Sequence, residues 1–480
     1  MVSRWAVVLA AGTLDFEMVQ STEVVVIGCG ASGIAALKRL YDAGIPAIGL
    51  EASDRIGGRI HTVGYGAANV DLGGAWCEGG DNNPVYDIAE PFHLLELEKP
   101  PVKWYVQSNG DLVSGDIAED IVKTLDDAVK SADKDGTESI SQCVRNACLE
   151  LKNDQKLTKS LTEWYENNNH LEPQDDPNES KSLKGLKEYL LDRSVLRHWK
   201  GKGFQIFLDI LLNKYPDPSH EIPVKMLLNK EVVTIKLQSQ EGSDQPAVHV
   251  KCKDGSAFTA KSVIVTVSLG VLKDRHAQLF EPPLPAEKIN TIDNLHLCVL
   301  GKIYVEFTKP WWTKTPANFA VLWSDEDRAK FSCSEKWITE IYGLETVACQ
   351  PNLLLAWVYG RGATQMEKAS EKEVLDGVNK LMDLVFKKRF DVAPIKSIRR
   401  TQWGLNPFTR GSYSYRSVAT EKNGASAATL GEPICVGGFP VVCFGGEASS
   451  AGRHGSVPGA VEAGFREADR LIKCLKQTQQ

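Results

Sequence analysis

The apolar residues near the start of the chain change their spacing twice within a short stretch. Val24 to Ile27 form an unbroken β-branched run, which is typical of a parallel strand buried on both faces. Apolar residues then recur at helical intervals from 34 to 40, and a second apolar run follows at 47–50. This pattern predicts a strand, a helix and a second strand, which together form the first unit of an α/β fold.

The spacing of apolar residues divides the rest of the chain into helical and sheet-forming stretches. Helices are predicted at 116–134, 139–152, 203–212, 285–295, 370–386 and 459–468. Strands are predicted at 230–233 within the segment 225–237, at 302–307 and at 353–359. Residues 248–267 are predicted to form two strands joined by a turn at Asp254 and Gly255, and 442–448 a strand followed by a turn. The polar, proline-containing stretch 167–182 is expected to form a loop. Most of the tryptophans that lie among the later strands are expected in a core, at positions 311, 312, 323, 337 and 357.

Length and charge narrow the classes of function. The chain has 480 residues, a formal net charge of −7 and a pI near 5.8. This balance argues against nucleic acid as a main partner, and no basic run contradicts that conclusion. No apolar run approaches the roughly 20 residues of a membrane span, so no membrane association is expected. The length suits two or three domains, each with its own core.

The N-terminal segment and the cysteines bear on the compartment. Arg4 and the apolar stretch 5–12 have the outline of a short signal peptide, but Asp15 and Glu17 follow at once. We therefore favour an N-terminal extension over residues 1–21, with secretion as the alternative. Eleven cysteines without a repeating spacing favour reduced thiols in a cytoplasmic protein.

A glycine motif links the first predicted strand to the first predicted helix. Gly28 allows a tight turn, Gly30 lets the backbone approach a pyrophosphate, and Gly33 lets the helix pack close to the strand. Glu51, at the end of the second strand, stands where an acceptor for a ribose hydroxyl belongs. The motif predicts a dinucleotide site and, by itself, leaves FAD and NAD both open.

Two further glycine pairs follow this unit. Gly57 and Gly58 precede Arg59, and Gly73 and Gly74 come shortly before Trp76. Backbone of this kind can wrap around a charged ligand, and an arginine is suited to bind a phosphate through two hydrogen bonds. Arg59 is therefore predicted to bind the cofactor phosphates.

Taken together, these segments make the chain resemble the flavin-dependent amine oxidases. The resemblance rests on G-x-G-x-x-G, a terminal Glu, G-G-R and L-G-G-x-W near the start, and on F-x-G-E followed by G-A-x-x-x-G-x-R-E-A near the end. It implies FAD rather than NAD, and the missing cysteine after Glu447 implies that the flavin is not covalently bound. The contacts that it implies for FAD are at Gly28, Gly30, Ala31, Ser32, Gly33, Glu51, Ala52, Arg59, Gly73, Gly74, Ala75, Trp76, Val233 (or Val232), Trp403, Glu447 and Val457.

The resemblance also implies the fold class. We expect an α/β protein in which a Rossmann-like FAD-binding domain, of the type of glutathione reductase 2 and p-hydroxybenzoate hydroxylase, is interleaved with an α+β substrate-binding domain. The FAD-binding domain is predicted to take residues 22–95, 201–285 and 425–480, and the substrate-binding domain residues 96–200 and 286–424. One cofactor site would then draw on both ends of the chain.

The chemistry is expected around Lys302. Without context, a lysine in an apolar strand would be interpreted as a surface residue at a strand edge. The resemblance implies instead that Lys302 holds a water against flavin N5, where an amine of lowered pKa assists proton transfer. It further implies that Trp403 packs on the flavin and that Tyr413 forms a wall of the substrate pocket.

The substrate is predicted from nearby carboxylates. Glu78 follows Trp76 by two residues, as in the W-x-E-G of plant-type polyamine oxidases, and would hold a distal ammonium. Glu172 resembles a second acidic position of that branch, although a solvated loop glutamate is an equally good interpretation. The usual cage aromatic is missing from 451–456, where His454 either replaces part of the wall or leaves the cage open.

The sequence therefore predicts an FAD-dependent polyamine oxidase. Spermine, N-acetylspermine or spermidine would be oxidised with O₂ as the second substrate, giving an aldehyde, a shorter amine and H₂O₂. An oxidase for a monoamine or a methyl-lysine stays open, and so does a flavoprotein whose FAD is structural. No nucleic acid and no metal is expected, and the protein is expected to be a monomer or a weak homodimer.

Overall fold

The computed structural model describes residues 19–80, 82–133, 138–152, 154–171, 177–190, 195–239 and 246–477. Residues 1–18, which make up most of the predicted extension, lie outside this range. The strands of the described residues are β1 Gln20–Ile27, β2 Ala47–Leu50, β3 Thr62–Tyr65, β4 Ala68–Asp71, β5 Cys77–Glu78, β6 Glu96–Leu97, β7 Val102–Gln107, β8 Leu112–Val113, β9 Leu196–His198, β10 Lys225–Leu227, β11 Val232–Ser239, β12 Pro246–Cys252, β13 Ala257–Val265, β14 Phe280–Glu281, β15 His296–Cys298, β16 Leu300–Phe307, β17 Ala317–Leu322, β18 Ile341–Val347, β19 Gln350–Tyr359, β20 Ile395–Arg400, β21 Tyr413–Tyr415, β22 Ile434–Val436 and β23 Phe439–Phe444.

The helices connect and cover these strands. Several begin at a serine whose side chain accepts a backbone N–H, as Ser139 does from Gln142 and Ser370 from Glu373. The helices are α1 Ala31–Asp42, α2 Pro84–Ala89, α3 Gly115–Ser131, α4 Ile140–Glu150, α5 Gln155–Asn168, α6 Leu183–Lys187, α7 Gln205–Leu211, α8 Leu269–Leu279, α9 Ala286–Asn294, α10 Asp325–Arg328, α11 Gly360–Lys368, α12 Glu371–Leu381, α13 Val418–Lys422, α14 Ala427–Gly431 and α15 Val457–Gln477.

The first large sheet has nine strands within the described residues. Its core is parallel, because β10, β2, β1, β13 and β23 lie side by side with one direction. The β-branched residues of β1 at its centre are fully buried, as the unbroken apolar run predicts. β13 continues into an antiparallel hairpin with β12, whose turn has Gly255 at a positive φ of 88°. The parallel core thus positions α1 and the loop before it.

The second large sheet has seven strands in the order β20-β16-β19-β18-β17-β7-β8. Its central strands are antiparallel, with Lys302 of β16 opposite Trp357 of β19. One face of this sheet packs on α11, α12 and the buried tryptophans 311, 312, 323 and 337. The prediction of core tryptophans is therefore confirmed for these four positions.

The strands of each sheet come from separate parts of the chain. Those of the first sheet lie at 20–50, 225–281 and 434–444, and those of the second at 102–113 and 300–400. A small sheet of β5, β9 and β6 joins segments from both predicted domains. The α/β prediction is confirmed, while the exact domain limits stay a prediction. Among the described helices, none is both long and apolar enough to cross a membrane.

Candidate active site

A cavity of about 940 Å³ is lined by residues of both large sheets. Most of the predicted site residues form its wall, which brings together side chains from nearly the whole length of the chain. These residues are Gly28, Gly30, Ala31, Ser32, Glu51, Ala52, Arg59, Gly73, Gly74, Ala75, Trp76, Glu78, Lys302, Trp403, Tyr413, Glu447, His454 and Val457.

Two of the predicted residues that the structure describes do not line the cavity. Gly33 lies behind the loop, where it performs the packing role that was expected of it. Val232 lines the cavity and Val233 does not, because neighbouring side chains of a strand point to opposite faces. Val232 is therefore the better of the two expected positions. Glu172 lies outside the described residues.

The glycine loop is held tightly against α1. Gly28 has a φ of 98°, and its N–H donates to the Leu50 carbonyl at 2.8 Å. A Cβ on Gly33 would lie 1.9 Å from the Gly28 carbonyl oxygen, so only glycine permits this approach. Helix α1 has no side-chain cap at its N-terminus, and Ala31 and Ser32 of its first turn line the cavity. Its first N–H groups are thus available to an anion.

Glu51 closes this end of the cavity. Its carboxylate accepts hydrogen bonds from the backbone N–H of Cys29 at 2.8 Å and of Ser53 at 3.0 Å. The side chain is buried and joins the glycine loop to the end of β2. The Ser53 hydroxyl also donates to the same oxygen as the Ser53 N–H, at 2.9 Å. Since each carboxylate oxygen accepts two hydrogen bonds, the oxygen bonded to Cys29 keeps room for one hydroxyl group of a ribose.

Glu447 connects the two ends of the chain. It forms an ion pair with Arg59 at 2.7 Å and accepts hydrogen bonds from the Ser414 hydroxyl at 2.5 Å and the Gly455 N–H at 2.6 Å. Burial by itself would raise the pKa of Glu447, but the Arg59 charge and these hydrogen bonds hold the pKa below its usual value. Arg59 lines the cavity with this partner already in place, so its binding to the cofactor phosphates stays a prediction.

Lys302 is a buried amine rather than a surface lysine. Only 4 % of it is exposed, and its Nζ donates to the carbonyls of Asp71 at 2.8 Å and Gly73 at 2.7 Å. Burial lowers the pKa of Lys302 to about 8, against the opposing effect of the Asp71 and Glu345 carboxylates. At neutral pH this amine is far closer to losing its proton than an exposed lysine, which suits a group that exchanges protons.

Trp403 packs beside the second glycine pair. Its Nε1 donates to the Leu72 carbonyl at 3.0 Å. A Cβ on Gly73 would lie 3.3 Å from the Trp403 ring and only 1.7 Å from the Arg59 carbonyl oxygen. The indole therefore lies close to the backbone that precedes Trp76, within the same cavity wall.

Two indoles lie beside the Lys302 amine. Trp76 and Trp357 are stacked with their ring centroids 6.0 Å apart, and Lys302 Nζ lies 5.7 Å and 5.2 Å from these rings. Trp357 lines the cavity and is only partly buried, so it is the exception among the five tryptophans, most of which were expected in a core. Its position opposite Lys302 in the sheet explains the difference.

An aromatic residue from another segment accompanies His454. The Tyr189 ring lies 5.2 Å from the His454 ring at an angle of 69°, and both line the cavity. Burial lowers the pKa of His454, which favours the neutral imidazole. Tyr189 could not be predicted to join this wall, because it lies far along the chain from 451–456. The wall is therefore aromatic here, although the expected local tyrosine is missing.

Tyr413 belongs to a network centred on His170. Its hydroxyl lies 2.6 Å from His170 Nδ1, and the Tyr342 hydroxyl lies 2.9 Å from Nε2 of the same ring. The imidazole also stacks on Tyr359, with centroids 4.9 Å apart. His170 lies in the polar stretch 167–182, for which the sequence predicts a loop, so its part in the cavity wall was not predicted. It fixes the Tyr413 ring in the cavity wall.

Comparison with known proteins identifies the family of this chain. The sequence profile of the family described as "Flavin containing amine oxidoreductase" matches residues 31–472. The chain belongs to this family. The prediction of FAD rather than NAD, and of an oxidoreductase, is thereby confirmed.

Several curated members of the family are similar to this chain along almost its whole length. The human "Peroxisomal N(1)-acetyl-spermine/spermidine oxidase" is 28% identical, with 94% of each chain covered. The Arabidopsis thaliana "Probable polyamine oxidase 5" is 26% identical, with 96% of this chain and 99% of the relative covered. The Zea mays "Polyamine oxidase 1" is 25% identical, with 95% and 91% covered.

The cavity fits the flavin cofactor of the family. Glycine is required where the loops approach most closely, an uncapped helix N-terminus faces the space, and a carboxylate stands at the end of β2. The volume of about 940 Å³ is at the upper end of the roughly 300–1,000 Å³ that ligand sites occupy. The glycine loop and Glu51 suit the nucleotide part of FAD, and Trp403, Gly73 and Lys302 suit the flavin part.

Proposed function

We propose that this enzyme is an FAD-dependent polyamine oxidase. The observation that carries the proposal is the buried Lys302 amine, which lies beside the stacked Trp76 and Trp357 in the cavity that also holds the glycine loop. The names of the human, Arabidopsis and maize relatives support the choice of a polyamine among the amines. Spermine, N-acetylspermine and spermidine are the proposed substrates.

When bound, FAD would supply the redox chemistry, as the acceptor of a hydride from the carbon beside a secondary amine and then as the reductant of O₂, which takes two electrons and two protons to form H₂O₂. Water then hydrolyses the oxidised carbon–nitrogen bond to an aldehyde and a shorter amine. The role of the protein is to bind the amine, to exclude bulk water and to transfer protons. Trp76 and Trp357 offer flat apolar faces to the methylene chain of the substrate.

Lys302 is proposed to act at the point where protons are exchanged. Two carbonyls accept hydrogen bonds from its Nζ and so fix its position. Because burial lowers its pKa to about 8, Nζ can take a proton from a substrate ammonium or from a water and release it again near neutral pH. Glu78 lines the same cavity and is proposed to bind one ammonium of the polyamine.

The test is anaerobic reduction of the flavin. The purified yellow protein is mixed with spermine, N-acetylspermine, spermidine or benzylamine, and the flavin absorbance is followed. Rapid bleaching by a polyamine, and slow bleaching by benzylamine, is expected. Faster bleaching by the monoamine would refute the substrate class. Bleaching by dithionite alone would refute amine oxidation and would favour a structural flavin.

The reducing environment of the cytoplasm is the proposed location. All eleven cysteines lie in the part of the chain that the structure describes, and each has a free thiol. We further propose that the protein is a monomer or a weak homodimer, with O₂ as its second substrate. Light scattering during size-exclusion chromatography tests the first point, and oxygen consumption with stoichiometric H₂O₂ tests the second.

A further inference from the structure

Four side chains on adjacent strands of the second sheet form a diagonal row, in which Trp357 is opposite Gly343 of β18 and reaches Glu345, two residues farther along, through a hydrogen bond. Lys302, Trp357, Glu345 and Asn318 belong to the adjacent strands β16, β19, β18 and β17, and all four line the cavity. Lys302 is directly opposite Trp357, and Glu345 is directly opposite Asn318. We call these residues the polar row.

Glu345 is the carboxylate of this row. One of its oxygens accepts a hydrogen bond from Trp357 Nε1 at 2.8 Å, and the other accepts from Asn318 Nδ2 at 3.3 Å. Both donors are neutral, and each oxygen can accept one further hydrogen bond. The two bonds fix the carboxylate group in the cavity wall.

The charge of Glu345 is not balanced by an ion pair. Among the described residues, its hydrogen-bond donors are neutral and no basic side chain lies within ion-pair distance of its carboxylate. Burial raises its pKa, which shows how unfavourable the bare carboxylate is, although the Trp357 hydrogen bond and the Lys302 charge oppose this rise. A half-buried carboxylate that has no cationic partner in a cavity wall is costly, and a cation in the cavity would relieve that cost.

The surroundings of Glu345 suit an ammonium group. Trp76 and Trp357 present indole rings beside the row, and such rings attract cations. An extended substrate with several ammonium groups would therefore place one of them at Glu345.

From this arrangement we infer that Glu345 is a specificity-determining residue, which receives an ammonium of the substrate remote from the carbon that is oxidised. The inference rests on the proposed amine-oxidase function and adds a second carboxylate to Glu78. It means that the site selects amines with two or more cationic nitrogens. In the variant Glu345→Gln, the amide oxygen still accepts a hydrogen bond from Trp357 Nε1, but the side chain carries no negative charge.

The wild-type enzyme provides the first measurement. Under anaerobic conditions, calorimetry is expected to show that 1,8-diaminooctane binds the oxidised holoenzyme at least tenfold more tightly than octylamine, which has the same chain and one ammonium. Equal binding of the two amines would overturn the inference. Because this readout is binding, it does not depend on turnover and holds even where a variant fails to fold.

The variant Glu345→Gln then assigns the effect to this residue. The tenfold preference for the diamine is expected to disappear, and kcat/KM for spermidine is expected to fall at least tenfold, mainly through KM. The activity toward dibutylamine, a secondary monoamine, is expected to change less than threefold. The exposed Glu96→Gln removes the same charge outside the cavity and is expected to keep the diamine preference.

The outcomes separate this inference from the proposed function. If spermidine reduces the flavin of the wild type, but Glu345→Gln keeps the full diamine preference, Glu345 is not the ammonium site and the polyamine oxidase proposal stands. If no amine reduces the wild-type flavin, the proposed function itself fails.

Discussion

Replacing Lys302 by methionine is expected to make the protein more stable at pH 7 while it removes activity. Burial lowers the pKa of Lys302 from 10.5 to about 8. Because one pKa unit corresponds to about 1.4 kcal/mol, the buried ammonium costs about 3 kcal/mol of folding stability. Methionine leaves the Gly73 carbonyl without this donor, which offsets about 1–2 kcal/mol. The Asp71 carbonyl keeps its hydrogen bond from Tyr304 at 2.7 Å.

The pH dependence identifies the cause of the effect. Since the folded-state pKa lies below the unfolded-state value, the unfolded chain binds more protons between about pH 8 and 10.5, and wild-type stability rises with pH in that window. The cost of the ammonium is present in full below about pH 8 and vanishes above 10.5. The advantage of Lys302→Met should therefore be largest near pH 7 and should shrink toward pH 10.

The assay is the thermal midpoint at saturating FAD, measured for both proteins from pH 7 to 10. The exposed Lys123→Met serves as the matched control and is expected to follow the wild type at every pH. In the same samples, flavin reduction by spermidine should be slowed about a hundredfold or more. A Lys302→Met midpoint that lies below the wild type at pH 7, or a difference that does not change with pH, would refute the reasoning.

Three further predictions concern the cofactor site and the pH profile. Gly33→Ala places a Cβ 1.9 Å from the Gly28 carbonyl oxygen, so the purified variant should lose at least nine-tenths of its FAD. The control Gly115→Ala has open space around the new methyl group and should keep its FAD. Equal flavin content in the two variants would contradict this prediction. Glu447→Gln removes the ion pair with Arg59 and should weaken FAD binding at least tenfold. Since the pKa of Glu447 is lowered in the folded protein, the stability advantage of the wild type over this variant should be complete above pH 5 and should fall as the solution becomes more acidic. A stability difference that grows in acid would contradict this prediction. The rate of flavin reduction at saturating spermidine should rise with pH through an inflection near 8, and Lys302→Met should lack that inflection; an unchanged profile would exclude this amine as its source.

The sequence predicts those parts of the site that lie close together along the chain. The glycine loop, Gly33 and Glu51 belong to one strand–helix–strand unit, whose geometry local spacing determines. Glu78 was proposed from the resemblance of its segment to the W-x-E-G of plant-type polyamine oxidases. Lys302 and Glu447 are distant from this unit and were proposed from the family resemblance, and the structure brings both to the cavity.

The site residues that could not be predicted from the sequence become neighbours only through strand register and long-range packing. Glu345 and Trp357 belong to the polar row because β18 and β19 pair in one particular register. Tyr189 meets His454 from a separate segment, and His170 emerges from a polar stretch without helical or strand periodicity. Apolar spacing places Trp357 in a strand but does not tell which face of that strand meets the cavity.

The contact between the two ends of the chain has a consequence for biosynthesis. Helix α15 packs so closely on α1 that a Cβ on Gly464 would lie 2.1 Å from the Ser32 carbonyl oxygen, and the Gly446 N–H donates to the Ser32 hydroxyl at 2.8 Å. Gly446 is 414 residues farther along the chain than Ser32, so it leaves the ribosome long after the glycine loop. The nascent chain therefore carries an unfinished nucleotide cradle until these distant partners have emerged, and flavin capture becomes a step that follows their synthesis.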